Sequence, residues 1–288
     1  MSIKSWIYAD SLIKPEEAVL FQESVRGGLG LTSVKHKSKA LLIRNFLEQS
    51  VNPKYSHSLF LETLFRVHIM DEASQCPKIP PYFNQEFFET IKSAHLSGYD
   101  LSNMKTKQWY NFLMEQDPTL SNPNKIELSS PETDWKLVWS NIHLKSLSND
   151  SISFAWRLLH QLLPGEERLS RILKNTSPVC KFQCQEISNL KHIFFRCQKS
   201  RQVVEWLGKL FPDIFVNFPA AQISKLFTGN NEAVIWIIIE SLKYIWEKRK
   251  RNKEISETEC RASLEAAVDN LTGINDNISN EICQHLSM

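Results

Sequence analysis

Cys180, Cys184, His192 and Cys197 stand in one short run, CKFQCQEISNLKHIFFRC, spaced C-x3-C-x7-H-x4-C. No other feature constrains the folding of the chain as much. Three thiols and an imidazole can surround one ion tetrahedrally, and four protein ligands leave no open coordination position. A closed set of this kind builds structure, whereas a catalytic zinc keeps one position for water or substrate. Soft thiolate with imidazole suits Zn2+. The close cysteine pair fits a turn, and the His-x4-Cys pair fits a helix that follows it. The competing reading makes the thiols ordinary buried side chains and His192 a helix residue with a local partner. The clustering argues against it: of 6 cysteines in 288 residues, three fall here beside a histidine. A disulfide framework also fits poorly, because Cys76, Cys260 and Cys283 are scattered singly and nothing marks the chain as secreted.

The remainder of the chain can build a real core. It is 42% apolar, with 8 Trp and 16 Phe and only 8 Gly, a composition that suits a helical globular protein. The net charge of +2 means that any basic surface must be local. The first residues, MSIKSWIYADSLIK, lack the apolar core of a secretory leader. The strongest apolar run, residues 233–239, falls far short of the ~20 residues that span a bilayer. The expectation is an intracellular protein, nuclear or cytoplasmic, with no membrane partner and with reduced thiols.

Apolar residues recur at helical spacing over 34–46 (Val34, Leu41, Leu42, Phe46), where Thr32 or Ser33 offers an N-cap, and over 57–70 (Leu59, Phe60, Leu64, Val67). The same spacing predicts helices over 84–96 (Phe87, Phe88, Ile91) and 105–115 (Trp109, Tyr110, Leu113). Residues 76–81 read as a proline-rich loop and 117–131, rich in Pro, Ser and Asn, as a linker. Beyond it, helices are expected over 133–143, 149–163, 166–174, 190–196, 202–211, 232–253, 257–271 and 278–285. Pro164-Gly165 stops the second of these, and 212–219 reads as irregular. No sustained period-two alternation is present. The fold class is therefore all-α: a helical bundle-like array with a small CCHC zinc-knuckle-type turn.

Several pieces run in one order: Trp135 and Trp139 in WKLVW; Phe154, Trp156, Arg157, His160 and Pro164 in FAWRLLHQLLP; Leu169 and Leu173; the Cys/His set ending in HIFFRC; then Val204 and Trp206. This set resembles the zinc-binding domain near the C-terminus of reverse transcriptases from non-LTR (LINE-type) retrotransposons. In that family a Trp-Arg-Leu-Leu helix precedes a cysteine pair, and a His-Leu-Phe-Phe-x-Cys helix follows it. Gly27-Gly28-Leu29-Gly30-Leu31 with Lys39-Ala40-Leu41 is similar to the family's connector after the thumb, as is Thr106-Lys107-x2-Tyr110. Trp246-Glu247-Lys248-Arg249 resembles the helix that trails the zinc module. One departure stands out: the family's first pair is usually C-x2-C, and here it is C-x3-C. The resemblance divides the chain into a helical connector region (1–127), a reverse-transcriptase-type zinc-binding domain (128–215) and a C-terminal helical region (216–288).

Polymerase chemistry needs paired aspartates to hold two divalent ions, and the sequence has no Asp-Asp dipeptide. Tyr8-Ala9-Asp10-Ser11 mimics the family's aromatic-Ala-Asp-Asp signature, but Ser11 replaces the second acid. Pro212-Asp213 reads as a helix-ending loop, and no Glu-x-Lys follows it. The glycine cluster lacks the Gly-Lys-Ser/Thr ending of a phosphate loop. No enzyme activity and no small-molecule substrate are expected.

Basic residues interleave with aromatics around the metal run: Lys181, Lys191, Arg196, Lys199 and Arg201 beside Phe182, Phe194 and Phe195. Such interleaving suits RNA or single-stranded DNA, where bases stack and phosphates pair with cations. Phe182, between the two cysteines, is the stacking candidate, whereas Phe194 and Phe195 read as local core. Lys248, Arg249, Lys250 and Arg251 form the sharpest basic run. Four adjacent charges wrap around a helix and cannot all face one way. They serve as phosphate contacts, as a nuclear import signal, or as a solvated last turn favoured by the helix dipole. Lys35, His36, Lys37, Lys39 and Arg44 spread around their helix and read as solvated. The leading expectation is a non-catalytic, zinc-stapled module that positions RNA template beside a reverse transcriptase polymerase region. The rival is a structural or protein-interaction remnant of a retrotransposon.

Overall fold

Short polar side chains mark where five of the helices begin. Asn84, Asp134, Ser148, Asn231 and Ser256 each accept a hydrogen bond from the backbone N–H three residues on, at 2.9–3.3 Å. Each cap satisfies a donor that the helix cannot, and each contributes about 1 kcal/mol. The computed structural model describes residues 16–52, 54–55, 57–70, 83–118, 132–215, 223–271 and 276–287. In chain order the helices are α1 (Glu17–Phe21), α2 (Val34–Val51), α3 (Ser58–His68), α4 (Gln85–Leu96), α5 (Thr106–Gln116), α6 (Trp135–Asn141) and α7 (Asn149–Leu159). There follow α8 (Glu166–Ile172), α9 (Arg201–Leu210), α10 (Pro212–Phe215), α11 (Glu232–Lys250), α12 (Glu257–Asp269) and α13 (Asp276–Leu286). Among the described residues the fold is all-α, as the sequence predicts, with one isolated antiparallel bridge between Val179 and Ile187. No helix among them is long and apolar enough to cross a membrane. The Tyr8–Ser11 signature, the loop at 76–81 and most of the linker at 117–131 lie outside the described residues.

Two compact units result: Gly30–Asn122, and Met1–Leu29 together with Pro123–Met288. In the Gly30–Asn122 unit, Phe46, Phe83, Phe87 and Phe88 meet edge-on or tilted at 5.0–6.3 Å around Leu64 and Ile91. The buried stripe of α2 is His36, Ala40, Ile43, Phe46, Leu47 and Ser50. This differs from the sequence expectation, because Val34 and Leu41 are exposed. The buried set follows i, i+4, i+7, i+10, i+11 and i+14, a more regular helical face than the apolar residues alone suggest. Leu59 and Phe60 of α3 are likewise exposed, whereas Leu64 is buried as expected, together with Leu61.

The other unit is organised around α11. Ala233, Ile235 to Ile239, Leu242, Ile245 and Trp246 are all buried, so the helix is apolar nearly all round and lies within the core. Its residues share one apolar cluster with Trp139, Phe154, Trp156, Phe194 and Trp206. The zinc-binding segment and the C-terminal helical segment, drawn apart from the sequence, thus have a common interior. Pro212–Phe215, expected as irregular, is a helical turn, and residues 216–219 lie outside the described residues. Helix α7 ends at Leu159, before Pro164, because Gln161 takes a left-handed conformation (φ 53°) and Leu162 N–H closes on Arg157 O at 2.8 Å.

The glycine cluster is a tight turn, as expected, with a specific packing role. Gly27 has φ +77°, and its carbonyl accepts bonds from Trp156 Nε1 (2.9 Å) and His160 Nε2 (2.8 Å). A Cβ there would sit 2.4 Å from the Trp139 ring. Burial holds His160 neutral, its pKa pushed down to about 4, so its Nε2–H donates at neutral pH. Gly27→Ala combines overpacking with a left-handed backbone and is expected to cost about 1–3 kcal/mol. Urea unfolding followed by tryptophan fluorescence checks this; a loss under about 0.5 kcal/mol, the size of an ordinary surface substitution, would contradict it.

Candidate metal centre

The metal run is a turn followed by a wide helical turn, and each half has a local cause. Cys180 N–H donates to Glu186 O at 2.9 Å and Ser188 N–H to Pro178 O at 2.9 Å, so the chain doubles back on itself. Gln183 and Gln185, on either side of Cys184, are left-handed (φ 62° and 58°). Gln183 turns the chain within the C-x3-C spacing, and Gln185 turns it again directly after Cys184. Residues 192–196, expected as an α-helix, form a π turn instead, closed by Cys197 N–H to His192 O at 2.7 Å. In an α-helix, residues five apart point about 140° away from each other. The wider turn brings His192 and Cys197 to one side, and π turns recur at functional sites for this kind of reason.

The ligand atoms of Cys180, Cys184, His192 and Cys197 all lie within 4.8 Å of one another. The Cys197 sulfur is 3.9 Å from that of Cys180 and 3.6 Å from that of Cys184. Sulfurs on a tetrahedral ion at ~2.3 Å are about 3.8 Å apart, whereas a disulfide needs about 2.05 Å. His192 is 2% exposed, and its Nδ1 pairs with Glu186 Oε2 at 2.8 Å. Its Nε2 is buried without a hydrogen-bond partner, which leaves that nitrogen for an ion. A carboxylate on the far ring nitrogen fixes the tautomer and raises ligand basicity. The residues fit a closed tetrahedral metal site.

The thiols are prepared unequally. Burial raises the Cys180 thiol, but hydrogen bonds from Arg249, the Phe182 backbone and His192, with the Arg249 charge, together outweigh it and bring the pKa to about 7. Burial, with the neighbouring thiols, pushes Cys197 up to about 11. A bound cation would convert both to thiolates.

Arg249 is the residue whose role sequence reasoning missed. Expected to contact phosphate, it is 2% exposed. Both of its terminal nitrogens lie 3.6 Å from Cys180 Sγ, and Nη2 also reaches Glu166 (2.7 Å) and Ser188 Oγ (2.8 Å). Ser188 Oγ in turn donates to Glu166. Gly165 permits this assembly, since a Cβ there would meet Ser188 O at 2.7 Å. Of the other expected contacts, Lys181, Lys191, Arg196, Lys199, Arg201, Lys250 and Arg251 are exposed. Arg251 faces Glu247 at 3.7 Å, and Lys248 pairs with Glu259. Phe182 is half-buried, with the Arg249 guanidinium 5.1 Å from its ring centre. Phe194 is core and Phe195 packs against it, as expected.

The family model for zinc-binding in reverse transcriptase matches residues 105–204. This stretch is a reverse-transcriptase-type zinc-binding region. Neither curated proteins nor solved structures give a match. The zinc-binding region begins at α5, where the Tyr110 hydroxyl accepts a bond from Ser33 N–H at 3.1 Å, and ends within α9. Near that start lies a Ser-His-Asp chain that sequence order did not suggest. Ser33 Oγ is 2.7 Å from His36 Nδ1, and His36 Nε2 is 3.2 Å from Asp117. Ser33 is only 4% exposed and stands at the start of α2. The chain ties that helix start to the end of α5.

Removing one partner of a buried charge pair strands the other, at about 3–5 kcal/mol, and loss of an outer-shell contact weakens metal binding roughly 10–100-fold. Arg249→Met is therefore expected to show both effects, in urea unfolding and in a zinc-chelator competition. Arg249→Lys restores neither fully, because an ammonium cannot fork between sulfur and carboxylate. Wild-type zinc retention in Arg249→Met would contradict the role given to this residue.

Proposed function

We propose that the chain is the accessory C-terminal part of a non-LTR retroelement reverse transcriptase, a non-catalytic module that binds nucleic acid through the surface its zinc ion shapes. The observation that carries the reading is a closed four-ligand set with exposed cations around it. Lys181, Lys191, Arg196, Lys199 and Arg201 all lie on or beside the run of metal ligands and all reach solvent. The family match supports the reverse-transcriptase association. When bound, the ion supplies a cross-link, and the cross-link holds the turn in shape. The chain's own residues do the rest. Lysine and arginine meet phosphates, and Phe182 offers a ring to an unpaired base. RNA template is the expected ligand, held for a polymerase region that other sequence supplies.

The test is fluorescence anisotropy of labelled single-stranded RNA and DNA with zinc-loaded protein across a salt series. Binding is expected in the micromolar range or tighter at low salt, with a log–log salt slope of about −0.7 per phosphate contact. Cys184→Ser is expected to lose zinc and binding together. Stoichiometric zinc with no binding at any salt concentration would replace this reading with a structural or protein-interaction role.

A further inference from the structure

Beside the metal turn, at the C-terminal end of α11, the surface holds a depression of about 380 Å3 lined in part by Lys181, Phe182, Lys199, Asn252, Lys253 and Glu254. The backbone builds it from two directions. Gln183, left-handed, turns the chain between the first two cysteines and lines the same depression. Asn252, left-handed at φ 52°, ends α11: its N–H bonds Arg249 O (3.0 Å), and Lys253 N–H bonds Lys248 O (2.9 Å). That closure is the usual helix-ending one, and it places Lys253 on the wall opposite the metal turn. Phe182 is held by the buried Arg249, and Lys181 Nζ lies 5.9 Å from the centre of its ring. Three lysines and one carboxylate thus line the depression. That carboxylate, Glu254, is 79% exposed and sits 3.6 Å from Lys199, which is 48% exposed. An ion pair so open to solvent is weak and exchangeable.

We propose that this depression is the seat of one nucleotide unit of a single strand, with phosphate between Lys199 and Lys253 and the base against Phe182. The proposal rests on the nucleic-acid reading above and narrows it to one surface. The size lies in the range of pockets that hold small organic groups, about 300–1,000 Å3. A single strand fits the chemistry because a duplex keeps its base faces stacked away from an aromatic side chain. Lys253 is the addition here, since none of the basic run before it lines this depression. Within that run Arg249 is buried against Glu166 and Cys180.

Lys199→Ala/Lys253→Ala in the full zinc-loaded chain tests the phosphate seat, read by anisotropy with labelled single-stranded RNA and DNA of one sequence. The salt slope is expected to flatten by about 1.4, two contacts at ~0.7 each. The control pair Lys136→Ala/Lys145→Ala, at exposed lysines of the same unit, keeps the wild-type slope. Phe182→Leu retains an apolar side chain and is expected to weaken binding roughly tenfold at unchanged slope. Zinc content and melting midpoint stay at wild-type values in the lysine variants. Equal losses in the two lysine pairs would overturn the depression and leave the proposed function standing. Wild-type affinity in Phe182→Leu would overturn the base seat. Absence of any binding by the wild type would overturn both the depression and the broader reading.

Discussion

A buried guanidinium decides how the metal turn can exist inside this fold. Three thiolates and a neutral imidazole around a divalent cation leave one net negative charge, and an unpaired buried charge is costly. Arg249, sixty-nine residues beyond Cys180, brings a positive charge against Cys180 from within α11 and shares it with Glu166. The arrangement ties three things to one point: the N-terminus of α8, the cysteine turn and the last turn of the central helix. Remove the ion, and Arg249 still holds Cys180 and Glu166. Remove Arg249, and Cys180 loses its electrostatic partner.

Exposed cations gather beside the metal turn although the chain as a whole is nearly neutral. Cations spent inside, such as Arg249, or on local acids, such as Lys248 on Glu259, are not available to a partner. Those beside the turn are. The metal fixes the backbone on which Lys181 and Phe182 stand, and the end of α11 brings Lys253 to the same place.

Much of this was legible in the sequence. The four ligands are close in the chain, so their spacing announced them, and the strongly periodic helices were found, although the one cap expected, at Thr32 or Ser33, makes no side-chain capping bond. What escaped has a common physical origin: it depends on partners distant in sequence. Arg249 reads as one charge in a basic run, because nothing local reveals that its neighbours in space are Cys180, Ser188 and Glu166. The buried face of α2 includes His36 and Ser50, polar residues that a pattern of apolar residues passes over. The π turn at residues 192–196 is a single extra residue per turn, which the metal spacing requires and helix propensity does not encode.

X-ray absorption at the zinc edge of the protein purified with zinc tests the central claim most directly. A closed site of Cys180, Cys184, His192 and Cys197 gives three sulfur neighbours at about 2.3 Å and one nitrogen at about 2.0–2.1 Å. A spectrum with an oxygen ligand, with fewer than three sulfurs, or with no bound zinc would contradict it.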